Sequence, residues 1–548
     1  MKKLLPLLLV LTMVFTIAAC TPADDPTGSS ASEPTATVGT ANPSETTEPA
    51  DETSKYGGHL NWVYYNKPKN LDPAVSTGSW NYMWTNLAYE APLTRDAEGN
   101  MRPNVCDFEL SEDQLTLKLW VREGVTFHDG SAVDIEDVVA SIQRCVHKSP
   151  RQYVTPYIKD VVIENGVATL TFTEYNEKTF YYIACVNPFI AVMPKEICEK
   201  YSHESGEVIT NVADAIGTGP YKFTELVTDV SVSLERHDGY IPVEEGYTGF
   251  ASPKMAYLDS ITVIANTDTS ASTLALLSGQ YDLFSNVSSD FYGPMDAAGI
   301  KSLTKSDTSG AVFYFNTFGN GVSAKNADMR KAIMAAIDVP ELVSFMTDGL
   351  VTSGGFCPAT DSIYNTDVFM TADYMGKVDL ELAQKYLDAA GYNGEEVQLA
   401  FSSAYADVAT LLASYLEAAG IKCKVTMMES GTVSEFYGNA SNAWDIYYTN
   451  PSTSSTPTLL STTIMDTNYN SAEKDALWKE LQGMVVGSNE YKAKWTELAE
   501  QMVDDCAVVF LHENHLVWSY QPDLHLEYDG ISPYFFNTFW ENPEKHGK

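Results

Sequence analysis

The hydrophobic pattern of this chain alternates irregularly between strand-like and helix-like segments. Alternating apolar and polar positions predict strands at residues 59–65, 115–121, 167–172 and 422–428. Segments with apolar residues three and four positions apart predict helices between and after these strands. Helices that end in short glycine turns and lead into strands indicate an α/β fold.

Three of the predicted helices are marked by capping residues. Asp134 is a candidate N-cap, and Asp137 occupies the reciprocal position of a capping box. Asp379 begins a second helix that ends at Gly391, and a third helix ends at Gly420. The apolar faces of the three helices are Ile135, Val138, Val139 and Ile142; Leu382, Ala383, Tyr386 and Leu387; and Val408, Leu411, Leu412, Tyr415 and Leu416.

The N-terminus has the pattern of a secretion signal. Lys2 and Lys3 precede an apolar run over residues 4–19, which is shorter than the roughly 20 residues of a membrane span. The run ends Ile-Ala-Ala-Cys, which resembles a bacterial lipobox and implies cleavage before Cys20 and lipidation of that cysteine. Two acyl chains anchor a protein stably. The alternative is an ordinary signal peptide with a chance cysteine.

The next segment cannot form a core. Residues 21–54 are almost all Thr, Ser, Pro, Ala, Gly, Asp and Glu, with seven acids, no basic residue and no aromatic residue. We expect residues 21–55 to be a disordered tether between a membrane and the globular part. This predicts an extracytoplasmic protein anchored to the outer face of the bacterial cell membrane.

Composition excludes several classes of function. Of 548 residues, 44% are hydrophobic, so the chain as a whole is not disordered. Asp and Glu number 73 and Lys and Arg 34, which gives a net charge of -39 and excludes nucleic-acid binding. Beyond Cys20, the cysteines show no CxxC or paired metal spacing, and we expect buried free thiols. They are Cys106, Cys145, Cys185, Cys198, Cys357, Cys423 and Cys506.

Six motifs resemble those of one family. Residues 115–144 combine a strand, an Arg-x-Gly-Val turn, a Phe-His-Asp-Gly loop and an Asp-Val-x-x-Ser helix. Together with five other stretches they are similar to the family 5 extracytoplasmic solute-binding proteins, the oligopeptide, dipeptide and nickel type that serves ABC importers. The stretches, in the family's order over about residues 59–540, are 89–103, 115–144, 217–222, 275–282, 315–338 and 380–391.

The resemblance implies an α/β, periplasmic-binding-protein-like fold with two lobes, two crossing strands and a cleft between the lobes. We expect lobe I at residues 56–311 plus 519–548, with an insert at about 92–216, and lobe II at 312–518. The crossings are expected near residues 312–317 and 508–519, which are rich in β-branched and aromatic residues.

The implied function is to capture a small solute, in the first place a peptide, by hinged cleft closure and to deliver it to the permease and ATPase subunits of an importer. We expect a monomer with no catalytic residue, no metal and no cofactor. The candidate ligand-binding residues are aromatic and amide side chains near the family's cleft segments: Trp80, Tyr82, Asn316, Tyr447, Tyr448, Asn450, Trp518 and Tyr534.

One departure from the family leaves the ligand open. Peptide-binding relatives pair the peptide's α-amino group with an aspartate shortly after the strand that corresponds here to residues 444–448. Between Asp445 and Asp466 this chain has no charged residue. A buried ammonium without a counter-charge costs several kcal/mol. Either a group elsewhere in the chain binds the amine, or the ligand is neutral, such as an oligosaccharide.

Other readings remain as alternatives. His512 and His515 could suggest nickel, but their spacing in a strand points them to opposite faces. A lipid-anchored hydrolase lacks support from any G-x-S-x-G, P-loop or HExxH motif. We interpret His128 and Asp129 as a pair that stabilises a turn rather than as catalytic residues. A signalling or adhesive receptor would share the fold.

Overall fold

The computed structural model describes most of the chain after residue 51. The described ranges are 52–64, 67–75, 82–97, 99–148, 157–184, 190–202, 204–285, 287–317, 321–324, 326–349, 351, 368–429, 444–450, 469–528 and 533–547. The predicted signal segment, Cys20 and most of the predicted tether lie outside them. Glu52–Lys55 forms a short 3-10 helix, so regular structure begins slightly before the predicted start at residue 56. The Lys55 ammonium lies over the rings of Tyr257 and Phe539, which holds this turn against the globule.

The helices of the described residues are mostly short. They are α1 (Tyr82–Ala88), α2 (Ile135–Lys148), α3 (Glu177–Ile183), α4 (Lys195–Lys200), α5 (Thr269–Leu277), α6 (Tyr292–Ala298), α7 (Ala327–Ala335), α8 (Val339–Met346), α9 (Val368–Thr371), α10 (Leu380–Ala390), α11 (Ala406–Ala418), α12 (Ala472–Gln482) and α13 (Asn489–Asp505). Within the described ranges, no helix has both the length and the apolar character that a membrane span requires.

The strands include two that are much longer than the rest. They are β1 (His59–Tyr64), β2 (Leu93–Arg95), β3 (Met101–Pro103), β4 (Cys106–Leu110), β5 (Thr116–Val121), β6 (Ile158–Glu164), β7 (Val167–Phe172), β8 (Tyr221–Val227), β9 (Ser231–Arg236), β10 (Ser260–Ala265), β11 (Leu283–Ser285), β12 (Lys301–Phe315), β13 (Val397–Ser402), β14 (Cys423–Met428), β15 (Ile446–Thr449), β16 (Val508–Tyr520), β17 (Leu524–Tyr528) and β18 (Pro533–Trp540). The long pair is β12 and β16.

The predicted capped helices are confirmed, and their caps explain where they begin. The Asp134 carboxylate accepts the Asp137 N–H at 3.1 Å and the Asp137 carboxylate accepts the Asp134 N–H at 3.0 Å, so two aspartates form a reciprocal capping box. Asp379 accepts N–H bonds from the first turn of α10, and Gly391 ends that helix in the left-handed conformation. The predicted strands correspond to β1, β5, β7 and β14.

One ten-stranded mixed sheet runs through the molecule in the order β14-β13-β15-β12-β16-β11-β1-β10-β9-β8. The antiparallel pair β12 and β16 lies at its centre and pairs from Lys301↔Tyr520 to Tyr314↔Val508. β11 pairs with the late end of β16, which in turn pairs with the early end of β12. β15 pairs with the late end of β12. The two halves of the sheet are therefore connected through the same two strands.

Alternation along β12 places its side chains in two separate cores. Ala311, Phe313 and Phe315 pack with α7, α8, α10 and α11 on one face. Val312 and Tyr314 pack with α12 and α13 on the other face. Because successive residues of a strand point to opposite faces, this half of the sheet is covered on both sides by helices.

The other half of the sheet has its own cores. Leu60 and Trp62 of β1 pack with α1, β8 to β10 and β18, whereas Val63 faces α5 and α6. A separate four-stranded sheet, ordered β4-β5-β7-β6, packs against α2 and α3. This second sheet falls within the residues predicted as an insert.

Four cysteines lie in the described residues, and none of the four is in a disulfide. Cys106, Cys198 and Cys506 are buried and Cys423 is half-buried. Burial raises the pKa of the Cys198 thiol to about 11 and that of Cys506 to about 12. For these four the expectation of unpaired thiols is confirmed, with Cys423 less buried than expected. Cys185 and Cys357 lie outside the described residues, as does the side chain of Cys145.

His128 connects two of the sequence motifs. Its Nδ1 accepts the Gly217 N–H at 3.1 Å, and its Nε2 lies 3.1 Å from the Gly219 carbonyl oxygen, so these partners assign the proton to Nε2. A Cβ on Gly217 would lie 2.1 Å from the Ala88 carbonyl oxygen, so this turn needs glycine to approach the end of α1. His128 thus fixes a distant turn, whereas its neighbour Asp129 binds Ser131 in its own loop.

We predict that His128 makes stability fall in acid. Burial, followed by the charge of neighbouring His237, lowers the pKa of His128 to about 3, while an unfolded histidine titrates near 6.5. The unfolded state therefore binds a proton between these values that the folded state does not. The contribution is complete above about pH 6.5 and is lost as pH falls toward 3. From pH 7 to pH 5 we expect a loss of about 1–2 kcal/mol in the free energy of unfolding, measured by denaturant titration.

The variant His128→Asn should lack this loss, although it will be less stable at pH 7. His525→Asn is the matched control because His525 is exposed on β17. The carboxylates of this acidic chain titrate in all three proteins, so the comparison is between slopes. Equal slopes for wild type and His128→Asn would contradict the assignment.

Candidate functional site

The pairing of β12 with β16 is interrupted at its middle. Ser306 pairs with His515, but the next pair is Gly310 with Glu513, so β12 carries extra residues opposite Asn514. A bulge of this kind bends and twists a strand pair locally. It lies where the two halves of the sheet meet.

A cluster of aromatic and amide side chains lies beside this interruption, and we call it the crossing-strand site. Hydrogen bonds join Tyr405, Tyr448, Asn450 and Asn514 in this cluster. The site as named here also includes His512, which stands two residues before Asn514 on β16. They come from the turn before α11, from β15 and the residue after it, and from β16.

Asn450 is the centre of the hydrogen bonding in this site. Its Nδ2 donates to the Tyr405 hydroxyl at 3.0 Å. Its Oδ1 accepts from Asn514 Nδ2 at 3.1 Å and from the Tyr448 hydroxyl at 3.4 Å. An asparagine amide can make four such bonds, so one N–H of Asn450 has no partner within the described part of the chain.

Aromatic contacts fix the position of Tyr448. Its ring lies edge-on to Tyr405 with centroids 4.6 Å apart and parallel to Phe401 at 6.1 Å. Burial raises the pKa of the Tyr448 phenol, so its hydroxyl stays protonated at neutral pH and can donate. Burial also lowers the pKa of His512, which favours the neutral imidazole.

The site is therefore polar and uncharged. Tyrosine hydroxyls, carboxamides and a neutral histidine can donate to and accept from peptide groups or sugar hydroxyls. The nearest carboxylate along β16 is Glu513, whose side chain is half-buried. Among the described residues, none of the hydrogen bonds of Asn450 goes to a carboxylate.

Tyr447 lies on the opposite face of β15 from Tyr448. Its ring stacks on that of Tyr314 with centroids 5.8 Å apart, next to the core formed with α12 and α13. The two adjacent tyrosines thus belong to different sides of the sheet, as strand alternation requires.

Asn316 lies at the far end of β12 and has a clear structural contact. Its Nδ2 donates to the Trp444 carbonyl at 2.9 Å and its backbone N–H to the Asp445 carbonyl at 3.0 Å. It is 3% exposed. The structure does not bring it together with Tyr448 and Asn450.

Trp518 is completely buried on β16, four residues beyond Asn514. Its ring lies 6.0 Å from that of Trp62 and 6.1 Å from that of Phe535. Its indole N–H has no partner within the described ranges. Trp80 and the side chains of Tyr82 and Tyr534 lie outside the described residues.

His512 and His515 reach the same backbone atom. The Nδ1 of each ring lies 3.0 Å from the Glu513 carbonyl oxygen. In the part of the chain that the structure describes, no three His, Cys, Asp or Glu side chains come together as metal ligands would.

Three members of the site, Tyr405, His512 and Asn514, were not among the sequence candidates for ligand binding. Tyr405 stands 45 positions from Asn450 and Asn514 stands 64 positions from it. Asn514 lies inside the His-Glu-Asn-His segment that was considered only for metal binding. The only local sequence signal for Tyr405 was its position as an aromatic residue just before the helix predicted to end at Gly420.

A buried carboxylate holds β15 in place below the site. Asp445 is 0% exposed, and its Oδ1 accepts the Ser323 N–H at 2.7 Å and the Ser323 hydroxyl at 2.8 Å. Its Oδ2 accepts the Gln398 N–H at 2.7 Å. A Cβ on Gly321 would lie 2.4 Å from the same carboxylate, so this approach requires glycine.

We predict that Asp445→Ala destabilises the fold strongly. The change leaves the buried N–H groups of Ser323 and Gln398 without their acceptor, while the Ser323 hydroxyl keeps the Asp445 carbonyl at 3.1 Å. Each orphaned group costs about 1–3 kcal/mol. We expect the free energy of unfolding to fall by about 3–5 kcal/mol in denaturant titrations. Asp407→Ala, at an exposed aspartate in the first turn of α11, is the control and should change it by less than about 1 kcal/mol. Similar losses for the two variants would refute the buried network.

Comparison with known proteins agrees with this architecture. Residues 79–471 match the family described as bacterial extracellular solute-binding proteins, family 5 Middle. A probable peptide ABC transporter periplasmic-binding protein, y4tO of Sinorhizobium fredii, is 23% identical over 494 residues, which is 83% of this chain and 86% of that protein.

Among the solved structures that share the fold, we describe two that cover most of this chain. The ABC transporter substrate-binding protein CtaP of Listeria monocytogenes has a TM-score of 0.70 at 20% identity, covering 86% of this chain and 95% of that one. The periplasmic binding protein DppA of Helicobacter pylori, in complex with the peptide STSA, has a TM-score of 0.70 at 19% identity, covering 89% and 99%. This chain belongs to the family 5 bacterial extracellular solute-binding proteins and has their two-lobed α/β fold.

Proposed function

We propose that this protein is the substrate-binding component of an ABC importer and that its cargo is a peptide. The crossing-strand site carries the proposal, because its polar, uncharged groups lie where the two halves of the sheet are connected. Family membership supports the transport role, and the names of y4tO and DppA support the peptide. The partners would be the permease and ATPase subunits.

Hinged closure would follow from the central strand pair. A ligand that touches both lobes favours the closed state, because only that state offers the second set of contacts. The interruption at Gly310 and Asn514 is the point at which the pair can bend with the smallest loss of ladder hydrogen bonds. Closure would also remove water and strengthen the bonds that Asn450 and its neighbours make. No covalent step is needed.

An oligosaccharide is the second candidate cargo. Two tyrosines, two carboxamides and a neutral histidine suit hydroxyl groups as well as peptide groups. The uncharged stretch between Asp445 and Asp466 also favours a ligand without a free amine. A hydrolase is the remaining alternative, and it would release products where a binding protein would not.

The experiment is a calorimetric titration of the mature protein with a peptide library and a glycan library, with products followed by mass spectrometry. We predict saturable binding of peptides without cleavage. Because the site offers no carboxylate to an ammonium, the best peptide and its N-acetylated form should bind within about twofold of each other. Asn450→Ala should weaken the binding of both peptides about tenfold. It removes the N–H that is available to a ligand and breaks the three hydrogen bonds that hold Tyr405, Tyr448 and Asn514 in place.

Asn489→Ala is the matched control, because Asn489 is exposed at the start of α13. A more than tenfold preference for the free amine would mean that a carboxylate binds it, and Glu513→Gln would then identify or exclude Glu513. Saturable binding of glycans alone would favour the second candidate. Turnover of either library would contradict the transport role.

We further propose that the mature chain is anchored to the outer face of the cell membrane through a lipidated Cys20 and a tether. We place the tether at residues 21–51, because Glu52–Lys55 forms a helical turn on the globule. The Ile-Ala-Ala-Cys ending of the apolar run supports this. An anchor of two acyl chains would keep the protein near its permease.

We predict that Cys20→Ala releases the protein into the medium or periplasm. The measurement is the distribution of the protein between sedimented membranes and the soluble fraction after cell lysis. Cys423→Ala, a change at a half-buried thiol, should leave the distribution as in wild type. A Cys20→Ala protein that still sediments with membranes would refute the anchor.

A further inference from the structure

A polar cavity lies just beyond the late end of β12. It has a volume of about 240 Å³ and lies among the start of α7, the start of α12 and the end of α13. Thr317, on its wall, stands four residues beyond Phe313, the strand partner of Tyr448, which is a distance of roughly 13 Å at strand spacing. The polar residues that line it include Thr317, Asn326, Arg330, Asn470, Glu473 and Asp505.

Arg330 is a buried cation on this cavity. It is 6% exposed, its Nε donates to the Asp505 carbonyl at 2.8 Å, and its Nη1 donates to the Ser323 carbonyl at 2.8 Å. These two bonds cap the end of α13 and fix the loop before α7. They leave Nη2 without a hydrogen bond, and Arg330 forms no ion pair within the described ranges.

Two helices begin at the same cavity. Asn326 caps α7 by accepting the Met329 N–H at 2.9 Å, and Ser471 caps α12 by accepting the Lys474 N–H at 3.4 Å. The remaining N–H groups of each first turn are not bonded within their own helix, and the helix dipole makes this end positive. Together with Nη2 of Arg330, these groups favour an anionic group such as a carboxylate.

The cavity also carries negative charge. Asp505 is half-buried and accepts the Tyr469 hydroxyl, and Glu473 is exposed at the rim. These acids would repel a simple anion but would attract an ammonium group. Donors and acceptors of both signs within one small polar cavity suit a molecule that carries both charges.

We propose that this cavity binds a small zwitterion with the chemistry of a free α-amino acid. Its carboxylate would lie against Arg330 Nη2 and the start of α7, and its ammonium against Asp505 and Glu473. The site is separate from the crossing-strand site, and the proposal does not depend on the cargo proposed above.

The test is a titration of the mature protein with L-alanine, in which ligand-detected NMR measures binding. Acetate and methylammonium are titrated separately as probes of the carboxylate half and the ammonium half of the zwitterion. L-Alanine should bind saturably and at least tenfold more tightly than either half. Glu473→Gln should weaken L-alanine about fivefold and leave acetate unchanged or tighter. Asn470→Ala, at an exposed rim residue, should also weaken L-alanine.

Glu490→Gln is the matched control, because Glu490 is likewise an exposed acid in a first helical turn but does not line the cavity. Asn450→Ala should weaken peptide binding yet leave L-alanine unchanged, which separates this site from the first one. The proposal is overturned if L-alanine does not bind, if acetate binds equally well, if the Glu473 and Glu490 variants behave alike, or if Asn450→Ala abolishes L-alanine binding.

Discussion

The antiparallel pairing of β12 with β16 is the interaction on which the rest of this structure depends. Every other strand of the ten-stranded sheet reaches the opposite half only through these two. On one side, β15 extends the sheet from β12, and on the other, β11 extends it from β16. The interruption near Gly310 therefore weakens the strand pair that connects the two halves. Such an arrangement keeps each half rigid and concentrates bending at the centre.

The polar networks at the two ends of β15 differ in whether all of their hydrogen-bonding groups have partners. Asp445 is fully buried and its carboxylate receives three donors, so it holds the loop at Ser323 and the start of β13. Asn450, five residues later, has three hydrogen-bond partners, and one of its side-chain N–H groups has no partner among the described residues. A completed network stabilises the fold, whereas a partly completed one at a hinge can still accept a ligand. The short strand β15 thus has a structural anchor at one end and the candidate binding residue at the other.

Local sequence signals predicted the helix and strand positions well, because caps and periodicity act over a few residues. The Asp134 and Asp137 box, Asp379 and Gly391 are such signals. Contacts across the fold were harder to predict. Tyr448 and Asn450 were among the candidates, but Tyr405 and Asn514 reach them from distant segments. Trp518 was also a candidate, yet it is buried against the rings of Trp62 and Phe535. Aromatic composition alone does not reveal which face of a long strand is covered.

The free thiols have a consequence for the lifetime of the protein outside the cytoplasm. Oxidants there convert exposed thiolates into disulfides or sulfenic acids. Cys106, Cys198 and Cys506 escape this chemistry only while they are buried and protonated. Cys506 ends α13 in a left-handed conformation, so fraying of that helix end would uncover it. Each such opening offers a chance of irreversible modification, and the durability of the molecule is then governed by how often it opens.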